Sequence, residues 1–116
     1  GWRRNKKTMS IQGHNDSVWI ALVEVRPRAG KEQLLDGALG AYVSVVALAE
    51  NAHDYQTRAR SLLSGMGFDV TEIENVEPLA DRVAHTRPEQ AVLDLGSQLT
   101  PNNPVAVGAF DAYEAE

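Results

Sequence analysis

The chain has 116 residues, a formal net charge of −5 and no cysteine, which suits one domain with a core of its own and excludes disulfides, thiolate metal sites and cysteine nucleophiles. Its longest apolar runs have strand length, and no apolar segment follows the basic residues at the start. We therefore expect neither a membrane-spanning helix nor a secretory signal, and a cytoplasmic location.

Residues 1–16 carry Arg3, Arg4, Lys6 and Lys7 against Asp16 alone. Gly1 to Thr8 precede Met9-Ser10, which reads as a natural initiation point, so we expect 1–16 to be a disordered tail or an expression remnant and 17–116 to form a single α+β domain. Val18 to Arg26 is a dense apolar run ended by Pro27 and reads as the first strand. From Pro27 to Gly40, three glycines punctuate a short amphipathic piece over Lys31 to Leu39, read as a helical turn or flexible flap. Such a loop, with Lys31 in it, is a place where binding residues gather on a rigid scaffold.

Tyr42 to Ala49 is apolar at nearly every position and rich in β-branched residues, the pattern of a strand buried on both faces. Asn51 followed by Asp54 reads as a helix N-cap with an acidic capping box, and Ala52, Tyr55, Ala59, Leu62, Leu63 and Met66 fall on one helical stripe. Gly65 and Gly67 close that helix. Phe68 to Val76 reads as the next strand; its apolar parity changes, which calls for a bulge near Thr71 or Glu72 or for an edge position guarded by Glu72, Glu74 and Glu77. Leu79 to Ala84 reads as a short helix. Thr86 with Glu89 resembles a capping box before a helix from Pro88 to Gln98, and Pro101-Asn102-Asn103-Pro104 is a turn before a last strand over Val105 to Phe110. The expected architecture is α+β: a single sheet of about four strands with two main helices packed on one face and a strand-helix-strand unit over 41–77.

Chemistry is sparse. His14, His53 and His85 stand at no metal-binding spacing, the serines form no nucleophile elbow, and Gly65-Met66-Gly67 closes a helix where a phosphate loop would open one. We expect no metal and no cofactor. Glu50, His53 and Asp54 gather at the start of the main helix, where the positive helix end favours a neutral imidazole and ionised carboxylates; they are the weak catalytic candidates. Trp19, Tyr42, Lys31 and Tyr113 are the candidate binding residues: the aromatics as core, pocket wall or stacking surface, Tyr113 on a last strand whose edge is open to pairing. Residues 68–116 hold ten acidic and two basic residues, a sign that repels nucleic acid and favours basic partners.

In layout, with Tyr42 to Ala49, Asn51 to Gly67 and Phe68 to Val76 as a ferredoxin-like half, the chain resembles small uncharacterised bacterial α+β proteins carried on mobile gene cassettes or beside toxin genes. The resemblance implies an accessory or immunity-like role and transfers no functional residue. The expectation is a non-catalytic interaction domain contacting a basic partner, or itself as a homodimer through an edge strand. The alternatives are a small-molecule site between helix and sheet near Trp19 and Tyr42, and a small acid/base enzyme using His53 and Glu50.

Overall fold

The computed structural model describes residues 17–87 and 90–114. The expected tail over 1–16, Pro88 at the expected helix start and Glu89 of the expected capping box lie outside the described residues.

The two apolar runs become the centre of one antiparallel sheet. Strand β1 (Ser17–Pro27) pairs with β2 (Gly40–Ala49) in an unbroken register from Ser17 opposite Ala49 to Val25 opposite Ala41. Helix α1 (Ala52–Gly65) then crosses to β3 (Phe68–Pro78), which pairs antiparallel with the other side of β1. The strand-helix-strand unit therefore forms, with β1 lying between its two strands. Helices α2 (Leu79–His85) and α3 (Gln90–Ser97) follow, then two three-residue strands, β4 (Val105–Val107) and β5 (Asp111–Tyr113), which share the free side of β2. No described helix is long and apolar enough to cross a membrane.

Because side chains alternate along a strand, β1 and β2 offer two faces. Ala21, Val23 and Val25 of β1 with Ala41, Val43, Val45, Ala47 and Ala49 of β2 are buried beneath Tyr55, Ala59 and Leu63 of α1. The opposite face buries Ile20 and Val46 against Val92 of α3, with Val18, Leu79, Leu95 and Leu99 around them. The helices thus flank both faces, which corrects the expectation of two helices on one. The reason lies in the strands: Ile20 and Val46 belong to the parity that α1 does not reach, and leaving such side chains in water forfeits about 1.5–3 kcal/mol each.

Helix α1 starts as its sequence implies. The Asp54 backbone N–H donates to Asn51 Oδ1 at 2.8 Å, and Asp54 Oδ2 accepts from the Glu50 N–H at 3.0 Å. Gly67 follows the helix with φ +101°, a conformation that favours glycine. Arg28 Nη2 then ties the helix end to the sheet by donating to Ser64 O, Ser64 Oγ and Phe68 O. The expected flap holds a 3-10 turn over Glu32–Leu35.

Strand β3 carries the expected bulge. Glu24 stands opposite Glu72 and Val25 opposite Val70, which leaves Thr71 unmatched; its hydroxyl donates to Glu24 O at 3.1 Å. A second irregularity places Asn75 and Val76 between the pairs Ile20–Glu77 and Leu22–Glu74, with Asn75 at φ +60°. The two insertions bring Val70, Ile73 and Val76, three residues apart, onto the α1 face with Phe68.

The expected last strand over Val105 to Phe110 ends at Val107 and a separate strand follows at Asp111–Tyr113, so the sheet has five strands among the described residues in place of about four. Gly108 leaves the ladder while its N–H still donates to Ser44 O at 2.9 Å. The irregular stretch after it shifts parity, so that Phe110 joins Val105 and Val107 on the α1 face and stacks on Phe68 with ring centroids 5.1 Å apart.

Candidate functional site

Helices α2 and α3 cover only one end of the face opposite α1. The register of the other end places two rows of side chains side by side. One row runs Glu74 of β3, Leu22 of β1, Ser44 of β2; the next runs Glu72, Glu24, Tyr42 and, on β5, Asp111. Leu22, Tyr42, Ser44, Glu74, Ala109 and Asp111 line a hollow of about 530 Å3 on this surface.

Tyr113 of β5 borders the hollow. Its ring lies 5.5 Å from that of Tyr42, tilted by 42°, and its hydroxyl donates to Glu24 Oε2. Among the described residues, neither Glu24, Glu72, Glu74 nor Asp111 takes part in an ion pair. Glu72 directly faces Glu24 across the ladder, a like-charge pair that weakens a sheet. The negative field is felt by Tyr42: the Glu24 carboxylate first, then partial burial, Tyr113, Glu74 and Glu72, push its phenol above the ordinary range. Chemically, the surface has aromatic edge, apolar lining and carboxylates outside any ion pair among the described residues, the composition that attracts a cationic group.

The structure divides the binding candidates from the sequence. Tyr42 and Tyr113 come together. Trp19 points to the α1 face, with its Nε1 buried and unpartnered among the described residues, so Trp19 and Tyr42 lie on opposite sides of the sheet. Lys31 sits in the loop against Gly67, its Cγ 3.4 Å from where a Cβ there would be. The space expected between helix and sheet is filled by Tyr55, which is 0 % exposed.

The trio at the start of α1 serves the helix. The Asp54 carboxylate accepts from the Glu50 N–H and from Arg58 Nε, and the Glu50 backbone bond chiefly holds it below the usual carboxylate range. Glu50 and His53 are exposed, and the capping turn is made by the side chains of Asn51 and Asp54, with Glu50 contributing its backbone N–H.

A second polar cluster escaped the sequence reading. Asn75, Val76, Glu77, Arg82, His85 and Thr86 line a cleft of about 700 Å3 at the junction of β3 and α2. Glu77 Oε2 accepts from Arg82 Nε, Glu77 Oε1 accepts from His85 Nε2 at 2.8 Å, and Arg82 Nη2 donates to Asn75 O at 2.9 Å. Arg82 and His85, three residues apart on one helix face, are spaced to reach one carboxylate, a signal visible in sequence; that the carboxylate is Glu77 depends on the Asn75 bulge. A carboxylate-oriented imidazole is a base-like arrangement. With Arg82 spanning Glu77 and the Asn75 carbonyl, the cluster works as a fastener of α2 to β3. Among the described residues, no group of three or more histidine and acidic side chains is placed to hold a metal ion.

The fastener predicts an acid response. The His85 hydrogen bond, followed by Arg82, holds the Glu77 carboxyl below its usual range. A carboxyl depressed in the fold adds stability above its unfolded pKa of about 4.3, and that stability is lost as pH falls through the lower folded value. Glu77→Gln is therefore expected to be less stable than the parent at neutral pH, with the gap narrowing below about pH 4. Urea unfolding at a series of pH values checks this, and a gap constant through the acid range overturns it.

Comparison with protein-family models, with curated proteins and with solved structures gives no match for this chain.

Proposed function

We propose that the protein is a non-catalytic interaction domain that meets a basic partner protein through the end of the sheet face opposite α1 that α2 and α3 leave open. One observation carries this reading. Glu24, Glu72, Glu74 and Asp111 stand together on the part of the sheet that no described helix covers, none of them in an ion pair among the described residues. Opposed glutamates lower the stability of a sheet by up to about 1 kcal/mol, and a basic partner turns that cost into binding energy.

The face is a better meeting place than an edge. Strand β3 is interrupted by two bulges, and on the far side of the sheet β4 and β5 have three residues each, so among the described residues neither edge offers a long ladder for a homodimer. The accessory, immunity-like role implied by the layout, and the ferredoxin-like likeness of 41–77, belong to this proposal.

Charge reversal tests it. The Glu72→Lys/Glu74→Lys variant is expected to bind a triarginine peptide at least about tenfold more weakly than the parent, and the parent's affinity is expected to fall with added salt. Fluorescence anisotropy of the labelled peptide reads both effects. Equal binding by parent and variant at low salt overturns the reading.

A further inference from the structure

We infer that the hollow bounded by Leu22, Tyr42, Ser44, Glu74, Ala109 and Asp111 seats a single arginine side chain of the partner. The inference rests on the interaction reading above and narrows it from a charged surface to one pocket.

The lining has three parts, and arginine answers each. Leu22 and Ala109 provide apolar surface, which suits the methylene stem of a long basic side chain. Tyr42, 36 % exposed, offers a ring on which a planar guanidinium stacks. Glu74 and Asp111 approach from β3 and β5, with β1 and β2 between them; a guanidinium has five donors arranged as a fork and can address carboxylates on two sides. The lysine ammonium has no plane to stack, and a neutral or acidic group gains nothing from the field that raises the Tyr42 phenol.

The seat is also built in advance. Tyr113 lies over Gly40, where a Cβ would come within 2.5 Å of its hydroxyl oxygen, and its hydroxyl occupies Glu24 Oε2. Gly40 thus makes room for the ring that backs Tyr42. A Tyr42 side chain held in place before the partner arrives lowers the ordering cost of binding. Glu24 is already engaged and Glu72 lies outside the hollow, which leaves Glu74 and Asp111 as the carboxylates that face the guest.

The test is a two-dimensional NMR titration of the isotope-labelled chain with the capped pentapeptide Gly-Thr-Arg-Thr-Gly, its lysine and citrulline counterparts, and the triarginine peptide. The arginine pentapeptide is expected to shift the Leu22, Tyr42 and Ser44 amides saturably. Citrulline in its place weakens binding about tenfold and lysine about fivefold. Tyr42→Leu, and independently Asp111→Asn, weaken the arginine peptide about fivefold while the spectra stay dispersed. Equal affinity for arginine and lysine, or an arginine affinity unchanged in both variants, overturns the pocket even where triarginine still responds to Glu72→Lys/Glu74→Lys. Failure of every peptide, triarginine included, overturns the interaction reading itself.

Discussion

Replacement of Tyr55 by alanine is expected to remove about 3–5 kcal/mol from the free energy of unfolding, the range for deleting a buried aromatic side chain. Tyr55 heads the largest fully buried side chains of the fold and is 0 % exposed. It belongs to the core on the α1 face with Val43, Val45 and Ala47, where neither strand nor helix can collapse into the space its ring would leave. Domains of this size hold about 5–15 kcal/mol in total, so the variant should be marginal at room temperature. Tyr55→Phe separates the two contributions. The Tyr55 hydroxyl donates to Val45 O at 2.7 Å, and burial keeps the phenol protonated well above its ordinary range. Losing that bond while keeping the ring should cost about 1 kcal/mol. Chemical denaturation of the three proteins checks both steps, and an alanine variant within about 1 kcal/mol of the parent would mean that α1 does not close over the sheet in the way described. The phenylalanine variant should bind basic peptides as the parent does, because Tyr55 and the acidic rows lie on opposite faces.

What the sequence reveals of this fold follows from how far apart the cooperating residues are. The Asn51 to Asp54 cap is a matter of three residues and was legible. The bulge at Thr71 was legible because apolar parity fails locally, between Val70 and Ile73. The two central strands announce themselves by continuous apolar composition, and that same composition requires cover on both faces. The break in the last strand left a fainter mark: Val105 and Val107 fall on one parity and Phe110 on the other, but with every residue of the stretch apolar or glycine the shift shows clearly only in the departure of Gly108 toward Ser44 and the seating of Phe110 on Phe68. The acidic rows are a product of register. Glu72 and Glu24 are far apart in the chain, and nothing local places one opposite the other or sets Tyr42 and Asp111 in line with them. Tyr113 stands out as a candidate by composition and position, but its partner Tyr42 and its seat on Gly40 depend on β5 pairing with β2.

That seat leads to the second large effect. Gly40→Ala is expected to destabilise the fold by about 1–3 kcal/mol, the usual cost of forcing a side chain into filled space. The new Cβ would lie 2.5 Å from the Tyr113 hydroxyl oxygen and 2.7 Å from Val25 O. The two neighbours differ in what they can yield. Tyr113 belongs to a three-residue strand near the end of the described chain and can swing away, giving up Glu24 and Tyr42. Val25 O belongs to β1, held between β2 and β3, and its displacement strains the sheet on both sides. A double-mutant cycle with Tyr113→Ala apportions the cost. If the tyrosine is the main obstacle, adding Gly40→Ala to Tyr113→Ala costs at least about 0.5 kcal/mol less than adding it to the parent, and the amides of β5 exchange faster in the Gly40→Ala single variant. If the carbonyl dominates, the two costs agree and β5 keeps its protection. A Gly40→Ala protein as stable as the parent, with β5 still protected, would show that the Tyr113 ring does not rest on Gly40, and the support it gives to Tyr42 would fall with it.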